Sequence, residues 1–264
     1  MSEMTQEQLE RWRALNWKLI PGAPTPPLLN MALDEVLAER VGQSERSPTL
    51  RIWGWSRPCI VLGRFQSVRN EVDEAAAERN DVQIVRRISG GGAMFIEPEG
   101  AITWSIYAPQ DLVKGMTFAQ SYAHFDSWVV SALRSLGIDA WYEPLNDITS
   151  AGGKIGGAAQ SRRSGAVLHH TTMAYDMNIP LMTQVLRIGR EKLSDKGVKS
   201  ADRRVGPLRQ QTSLQRQTII DHMVNAFASQ FGLEEDTLSQ DELAEAETRV
   251  RERFGTPSWI HYLP

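Results

Sequence analysis

Two glycine-rich stretches lying beside cationic side chains carry the residues that could do chemistry. The first, RRISGGGAMF, places Arg86 and Arg87 ahead of Gly90, Gly91 and Gly92. The second, LNDITSAGGKIGGAAQSRRSGAVLHHTTM, runs from Leu145 to Met173 and sets Lys154 between two glycine pairs. Glycine permits positive φ and lets a ligand approach the backbone closely, and the exposed N–H groups of such a turn form an anion-binding concavity. Arg86 or Arg87 could add bidentate contacts to a phosphate or carboxylate, and Lys154 a mobile point charge. Each feature also has a plainer reading, since glycine runs often serve tight turns and a lysine in a glycine-rich loop is often only solvated. Two such clusters, each next to cations, fit one binding site better than two unrelated turns. Neither is a P-loop: Ile155 follows Gly153-Lys154 where Ser or Thr is required, and the Gly90 cluster has no lysine. The Rossmann glycine spacing is also missing.

The elements that must position these residues follow from periodicity. LLNMALDEVLAER carries Leu29, Leu33, Val36 and Leu37 at helical spacing, with Asn30 as a possible cap. LRIWGW and CIVLGRF are β-prone and separated by Ser56, Arg57 and Pro58, which predicts a hairpin. A short helix around EVDEAAAER comes next, then VQIVRR as a strand leading into the glycines and AITWSIY as the strand leaving them. From Phe118, the residues Tyr122, Phe125, Val129, Leu133 and Leu136 predict a long amphipathic helix closed by Gly137. Two more helices are readable. One runs through Ile219, Met223, Phe227 and Phe231 to Gly232, and the other starts at Ser239 and Glu242, which have capping-box spacing. Strands and helices mix without a βαβ rhythm, so the expected class is α+β with a largely antiparallel or mixed sheet. With no repeat and no linker, one domain over residues 1–264 is expected, the first 25 or so residues being peripheral.

Composition narrows the function classes. The chain has 264 residues, 41% of them apolar and 23% charged, with a net charge of −3. That excludes extensive disorder and gives no basic excess for general nucleic-acid binding. The lone cysteine, Cys59, cannot form an internal disulfide or a multi-cysteine metal site. The charged N-terminus lacks the apolar core of a signal peptide and no run reaches membrane-spanning length, so a cytoplasmic protein without membrane contact is expected.

RRISGGGAMF followed by a strand, then LND, GGKIGGAAQ, HHTTM and KSADRRVGPL, occur in the order and approximate spacing seen in lipoate-protein ligases. From about Asn30 to Trp259 the chain therefore resembles the lipoate-protein ligase A family, within the biotin/lipoate ligase and acyltransferase superfamily. The resemblance implies ATP-dependent activation of lipoate to lipoyl-AMP, then transfer to a lysine of a carrier domain. The carriers it implies are lipoyl domains of 2-oxoacid dehydrogenase E2 subunits or the glycine cleavage H protein. Lys154 matches the lysine that contacts the acyl carbonyl and the adenylate phosphate, where it acts as a protonated electrophile. Arg87 matches an ATP-binding arginine, and Gly90, Gly91, Gly92, Ala93, Met94 and Phe95 match the segment around the adenylate. Asn146, Gly157, Ala158 and His170 fall in the matching second stretch. Asp147 matches an acidic position that could hold Mg²⁺ beside the phosphates.

Some features depart from the family. Ile96 and Glu97 stand where a histidine and an aspartate are usual, followed by an apparent one-residue insertion, and Ile260 replaces a polar residue after Trp259. The length matches the large domain of two-domain ligases, which implies a separately encoded accessory subunit. Two alternatives remain open: an octanoyltransferase acting from octanoyl carrier protein, and a non-catalytic binder of lipoate or its adenylate. The first lacks a cysteine just upstream of Lys154, and Cys59 sits in an apolar run that reads as a core strand. His169 and His170 are adjacent, so on a strand they face opposite sides and at most one enters a pocket.

Overall fold

Alternating side chains in AITWSIY and AVLHHTTM build two long neighbouring strands, and the molecule is arranged around them. The structure is a computed structural model that describes residues 5–187 and 205–263. Its first half contains α1 (Gln6–Arg13), β1 (Lys18–Ile20), β2 (Pro24–Thr25), α2 (Pro27–Gly42), β3 (Thr49–Trp55) and β4 (Cys59–Leu62). There follow α3 (Val68–Glu71), α4 (Glu74–Arg79), β5 (Gln83–Arg86), β6 (Met94–Ile96), β7 (Ala101–Pro109) and α5 (Phe118–Ser135). The second glycine stretch supplies β8 (Ala140–Glu143), β9 (Asp147–Ser150), β10 (Gly153–Arg163) and β11 (Ala166–Ala174). The rest is α6 (Ile179–Val185), α7 (Arg216–Phe231), β12 (Glu234–Glu235), α8 (Gln240–Arg249) and α9 (Pro257–Ile260).

The main sheet has the order β12-β1-β3-β7-β11-β10-β9-β8, with β2 joined to β3, and β5-β4-β6 form a small second sheet. Pairing is antiparallel from β3 through β8 and parallel at β1, β2 and β12. This is the mixed, mainly antiparallel α+β arrangement expected. One face of the main sheet packs on α1, α5 and α7, where Trp12, Trp17, Trp104, Trp128 and Phe227 form an aromatic core. The other face packs on α2, whose Leu33, Val36 and Leu37 meet Trp53, Trp55 and Leu168.

Four details differ from the sequence reading. LRIWGW and CIVLGRF do not pair as a hairpin: β3 joins β7 in the main sheet and β4 joins β5 and β6 in the small one. Pro58 marks that change of sheet. Asn30 caps nothing, since it lies inside α2, fully buried, and its amide donates to the carbonyls of Thr25 and Gly54. The N-terminal segment is not peripheral, because Trp12 and Trp17 are buried in the main core and Trp17 Nε1 donates to the Trp12 carbonyl. An α1 apolar edge of only a few residues hid this in the sequence. AITWSIY does not leave the glycines directly, because β6 intervenes.

The aromatic core has a pH consequence. The His124 ring packs against Trp12 and Phe125, with centroids 5.3 and 6.0 Å apart. Burial, reinforced by the Arg11 charge, pulls its pKa down to about 4 from the usual 6.5. The unfolded chain takes up a proton near pH 6.5 that the folded chain refuses until about pH 4. Stability is therefore complete above the upper value and falls as the pH drops through this window, by at most about 3 kcal/mol. Urea titrations across that range should show the slope in the wild type and a flatter one in His124→Phe.

The C-terminal helix is tied back by charge. Arg249 on α8 reaches Glu35 and Glu39 on α2 at 2.9 and 2.7 Å, and Arg253 reaches Glu35 at 2.7 Å. Glu35 is buried, so these contacts satisfy a carboxylate that would otherwise be left desolvated.

Candidate active site

The stretch around Lys154 is not a loop but the start of β10, with an irregularity in register between Lys154 and Gly156. The glycines make that strand possible. A Cβ on Gly156 would stand 2.9 Å from the Thr172 carbonyl oxygen on β11, closer than any side chain tolerates. The irregularity turns Lys154 toward Gly157, so that a Cβ there would lie 3.3 Å from Nζ. The ammonium pairs with Asp147 Oδ1 on β9 at 2.8 Å, and the Lys154 side chain is 18% exposed. Asn146 clamps the same strand, its amide donating to the Ala158 carbonyl while Ala158 N–H donates back to the Asn146 carbonyl.

A narrow pocket opens beside this lysine and runs between the two sheets. It encloses, with the solvent at its mouth, about 370 Å³. Gly157, Ala158 and Ala159 of β10 form one wall with His170 and Thr172 of β11. Met31, Trp53, Trp55, Val61, Met94 and Ile96 make it largely apolar, and Arg87 also contributes to the lining. The indoles are fixed from behind, Trp53 Nε1 donating to Ser105 Oγ and Trp55 Nε1 to Thr103 Oγ1, both at 3.0 Å. Such a slot suits an extended hydrocarbon chain with a polar group at the lysine end.

The two arginines before the glycines both bind the protein's own carbonyl oxygens. Arg86 is fully buried and donates to the carbonyls of Gly63, Arg64, Gln66, Trp259 and Ile260, fastening the C-terminal turn to the loop after β4. Arg87 donates twice to Gly90 O, and also to Gly92 O and Val61 O, at 2.7 to 3.2 Å. Its guanidinium shapes the glycine turn from inside, and burial lowers its pKa to about 10. Gly91 takes φ = +95°, and a Cβ there would meet Arg87 Nη2 at 2.8 Å. Because the carbonyls turn in toward Arg87, no protein acceptor among the described residues takes the N–H groups of Gly90, Gly91 or Gly92. Of the glycine-segment residues singled out in the sequence, Met94 lines the pocket and Phe95 is buried beneath the small sheet. Gly90, Gly91, Gly92 and Ala93 border it without forming its wall.

Both histidines are buried, on opposite faces of β11. His169 faces α5, with Nε2 2.8 Å from Asp126 Oδ1 and its ring stacked on Phe125. His170 faces the pocket, Nδ1 2.6 Å from Asp34 Oδ2 and Nε2 2.6 Å from Ser89 Oγ. Asp34 Oδ1 accepts from Ser105 at 2.8 Å and Tyr107 at 2.6 Å. Burial alone would raise the Asp34 pKa, but the His170 contact, the Arg51 charge and the Tyr107 hydroxyl together hold it below the usual value. Sequence reasoning missed Asp34 and Ser89. The available signal was a carboxylate at position 34, one residue after Leu33 on the apolar stripe of α2.

Asp147, the carboxylate expected to hold Mg²⁺, faces the Lys154 ammonium at 2.8 Å, and no group of three or more His, Cys, Asp or Glu suited to a metal occurs among the described residues, so a magnesium ion there would need further ligands from the phosphates of a substrate. Lys199 to Arg204 of the KSADRRVGPL motif lie outside the described residues, but its Gly206 N–H donates to the Lys154 carbonyl at 2.9 Å. No helix among the described residues is long and apolar enough to cross a membrane.

Comparison with known proteins gives the family and the fold. Residues 26–228 match the family model of the lipoyl protein ligase A/B catalytic domain. The octanoyltransferase LipM of Symbiobacterium thermophilum is 28% identical, the alignment covering 92% of this chain and 97% of that protein. A probable lipoate-protein ligase A of Mycoplasma pneumoniae is 29% identical, over 88% of this chain and 68% of that protein. Among solved structures, a bi-partite lipoate protein ligase from Thermoplasma acidophilum, described with its E2 lipoyl domain, superposes with a TM-score of 0.79. It is 26% identical and covers 95% of this chain and 98% of that one.

Proposed function

Because the chain belongs to the lipoyl protein ligase A/B catalytic domain family, we propose that it is a lipoate-protein ligase, which activates lipoate with ATP and passes the lipoyl group to a lysine of a lipoyl domain. The observation that carries this reading is the Lys154 ammonium lying over Gly157, a residue that lines the apolar slot, and paired with Asp147. The slot takes the acyl chain and leaves its carboxyl carbon at the lysine. Forming the adenylate and transferring from it both build negative charge on oxygens at that carbon, and a fixed cation with backbone donors stabilises that charge. The N–H groups of Gly90 to Gly92, which have no protein acceptor among the described residues, supply donors for the phosphate side of the adenylate in this reading. ATP is a substrate in this reading. The likeness to a ligase described as bi-partite supports a second polypeptide taking part in activation, and the E2 lipoyl domain of that system supports lipoyl domains as acceptors.

The second reading, transfer from an octanoyl thioester, is supported by the relatives named octanoyltransferase. It cannot use Cys59. That thiol is completely buried in β4, and burial pushes its pKa far above the usual range. Cys59→Ser should therefore leave modification of a lipoyl domain within about twofold of wild type while lowering stability by about 1–3 kcal/mol for the buried hydroxyl. An acyl thioester isolated on Cys59 would contradict this. Incubation with ATP, lipoate and a lipoyl domain, with and without candidate accessory polypeptides, tests the ligase reading. One lipoyl mass must appear on the domain in an ATP-dependent way, and transfer without ATP from octanoyl carrier protein alone would favour the second reading.

A further inference from the structure

We propose that Asp34, His170 and Ser89 form a nucleophilic triad that gives this chain a second acyl donor, an acyl thioester, through an acyl-serine intermediate. The inference goes beyond the ligase reading and rests on it for one point only, that the apolar slot holds an acyl chain. The motifs that carry it, SGGG and HH, are far apart in sequence but meet in the fold. Ser89 Oγ lies 2.6 Å from His170 Nε2, and His170 Nδ1 lies 2.6 Å from Asp34 Oδ2. A serine, an imidazole and a buried carboxylate in that order are the parts of an activated hydroxyl, the carboxylate fixing the tautomer in which Nε2 accepts the serine proton. Asp34 is held in turn by Ser105 and Tyr107, so the imidazole has a rigid partner. The ring of His170 is part of the slot wall. Directly after Ser89 come three glycines whose N–H groups meet no protein acceptor among the described residues, which is where an oxyanion formed at the serine needs its donors.

The step balances without an oxidant or a metal. Ser89 Oγ attacks the thioester carbonyl as its proton passes to His170 Nε2, the C–O bond forms, the C–S bond breaks, and the thiol leaves with that proton. The carrier lysine amine then attacks the serine ester. The amide C–N bond forms, the C–O bond breaks, and a proton from the amine returns to Ser89 Oγ through His170. Ser89 is as buried as Cys59, and what sets it apart is the imidazole hydrogen-bonded to it.

The test uses the full chain with S-octanoyl-N-acetylcysteamine, followed by acid quench, intact mass and peptide mapping. The expected result is one octanoyl group on the Ser89 peptide, stable to neutral hydroxylamine and discharged by a lipoyl domain. Ser89→Ala and His170→Gln should lower thioester-driven transfer by about a thousandfold or more. Ser89→Cys should restore an adduct that neutral hydroxylamine now removes, an outcome that a purely structural hydrogen bond would not give. A wild-type chain that transfers from lipoyl-AMP but carries no adduct, or carries one elsewhere, overturns the triad and leaves the ligase reading intact. A Ser89 adduct in a chain that cannot use lipoyl-AMP does the reverse. A chain with neither overturns both.

Discussion

Lys154→Met should slow acyl transfer from preformed lipoyl-AMP by about a hundredfold or more while leaving the fold unchanged. A unit charge about 4 Å from a developing oxyanion is worth on the order of 4 kcal/mol at an intermediate dielectric, and somewhat less after its own desolvation. Loss of one strong donor to an oxyanion has costs of that size. The side chain is partly exposed and contributes little packing, so the circular dichroism spectrum should stay native, while the urea midpoint should fall because the buried Asp147 carboxylate loses its ammonium. Lys154→Arg should not restore the rate. The ammonium is wedged between Asp147 and the position over Gly157, where a planar guanidinium has no room for the same contact. A well-folded Lys154→Met protein with near-normal transfer would reduce this lysine to a partner of Asp147.

The second large effect concerns the slot. Ala159 is buried in β10, pairs with His170 of β11 on the slot side and forms part of the wall, so Ala159→Phe puts an aromatic ring where the acyl chain lies. An octyl-length chain gains about 0.8 kcal/mol per buried methylene, or roughly 5 kcal/mol in all, so the variant should lose about a thousandfold in kcat/KM for lipoyl-AMP. Overpacking should cost about 1–3 kcal/mol of stability, which leaves the protein folded. The discriminating control is acetyl-AMP, which has no chain to bury. Its slow transfer should be the same in variant and wild type, and an equal loss for both donors would show that the ring had disturbed Lys154.

The long helices and the sheet class were legible because their signals are local. The spacing from Phe118 to Leu136, with Gly137 at φ = +80°, gave α5, and Ser239 with Glu242 gave the capping box of α8. The β3 to β4 turn failed because strand pairing depends on distant partners, and nothing near Ser56 to Pro58 reveals that the chain changes sheets there. The glycine motifs marked the site correctly as a place, but the direction of each side chain was hidden. Adjacent arginines looked available to phosphate, yet Arg86 and Arg87 are spent on carbonyl oxygens, an outcome set by where the chain folds back on itself. Lys154 looked like a loop residue because glycines dominate its surroundings, whereas those glycines exist to let β10 run against β11. Asp34 could not be assigned without the structure, since its partners Ser105, Tyr107 and His170 are brought in by two other strands.

The most direct test of the central claim is single-turnover transfer from synthetic lipoyl-AMP to a lipoyl domain, followed by intact mass with ATP and any accessory polypeptide left out. The predicted result is one lipoyl group on a single lysine of the domain, formed far faster by wild type than by Lys154→Met. If the adenylate persists or is merely hydrolysed while the domain keeps its original mass, the slot and its lysine are not a site of acyl transfer from an adenylate.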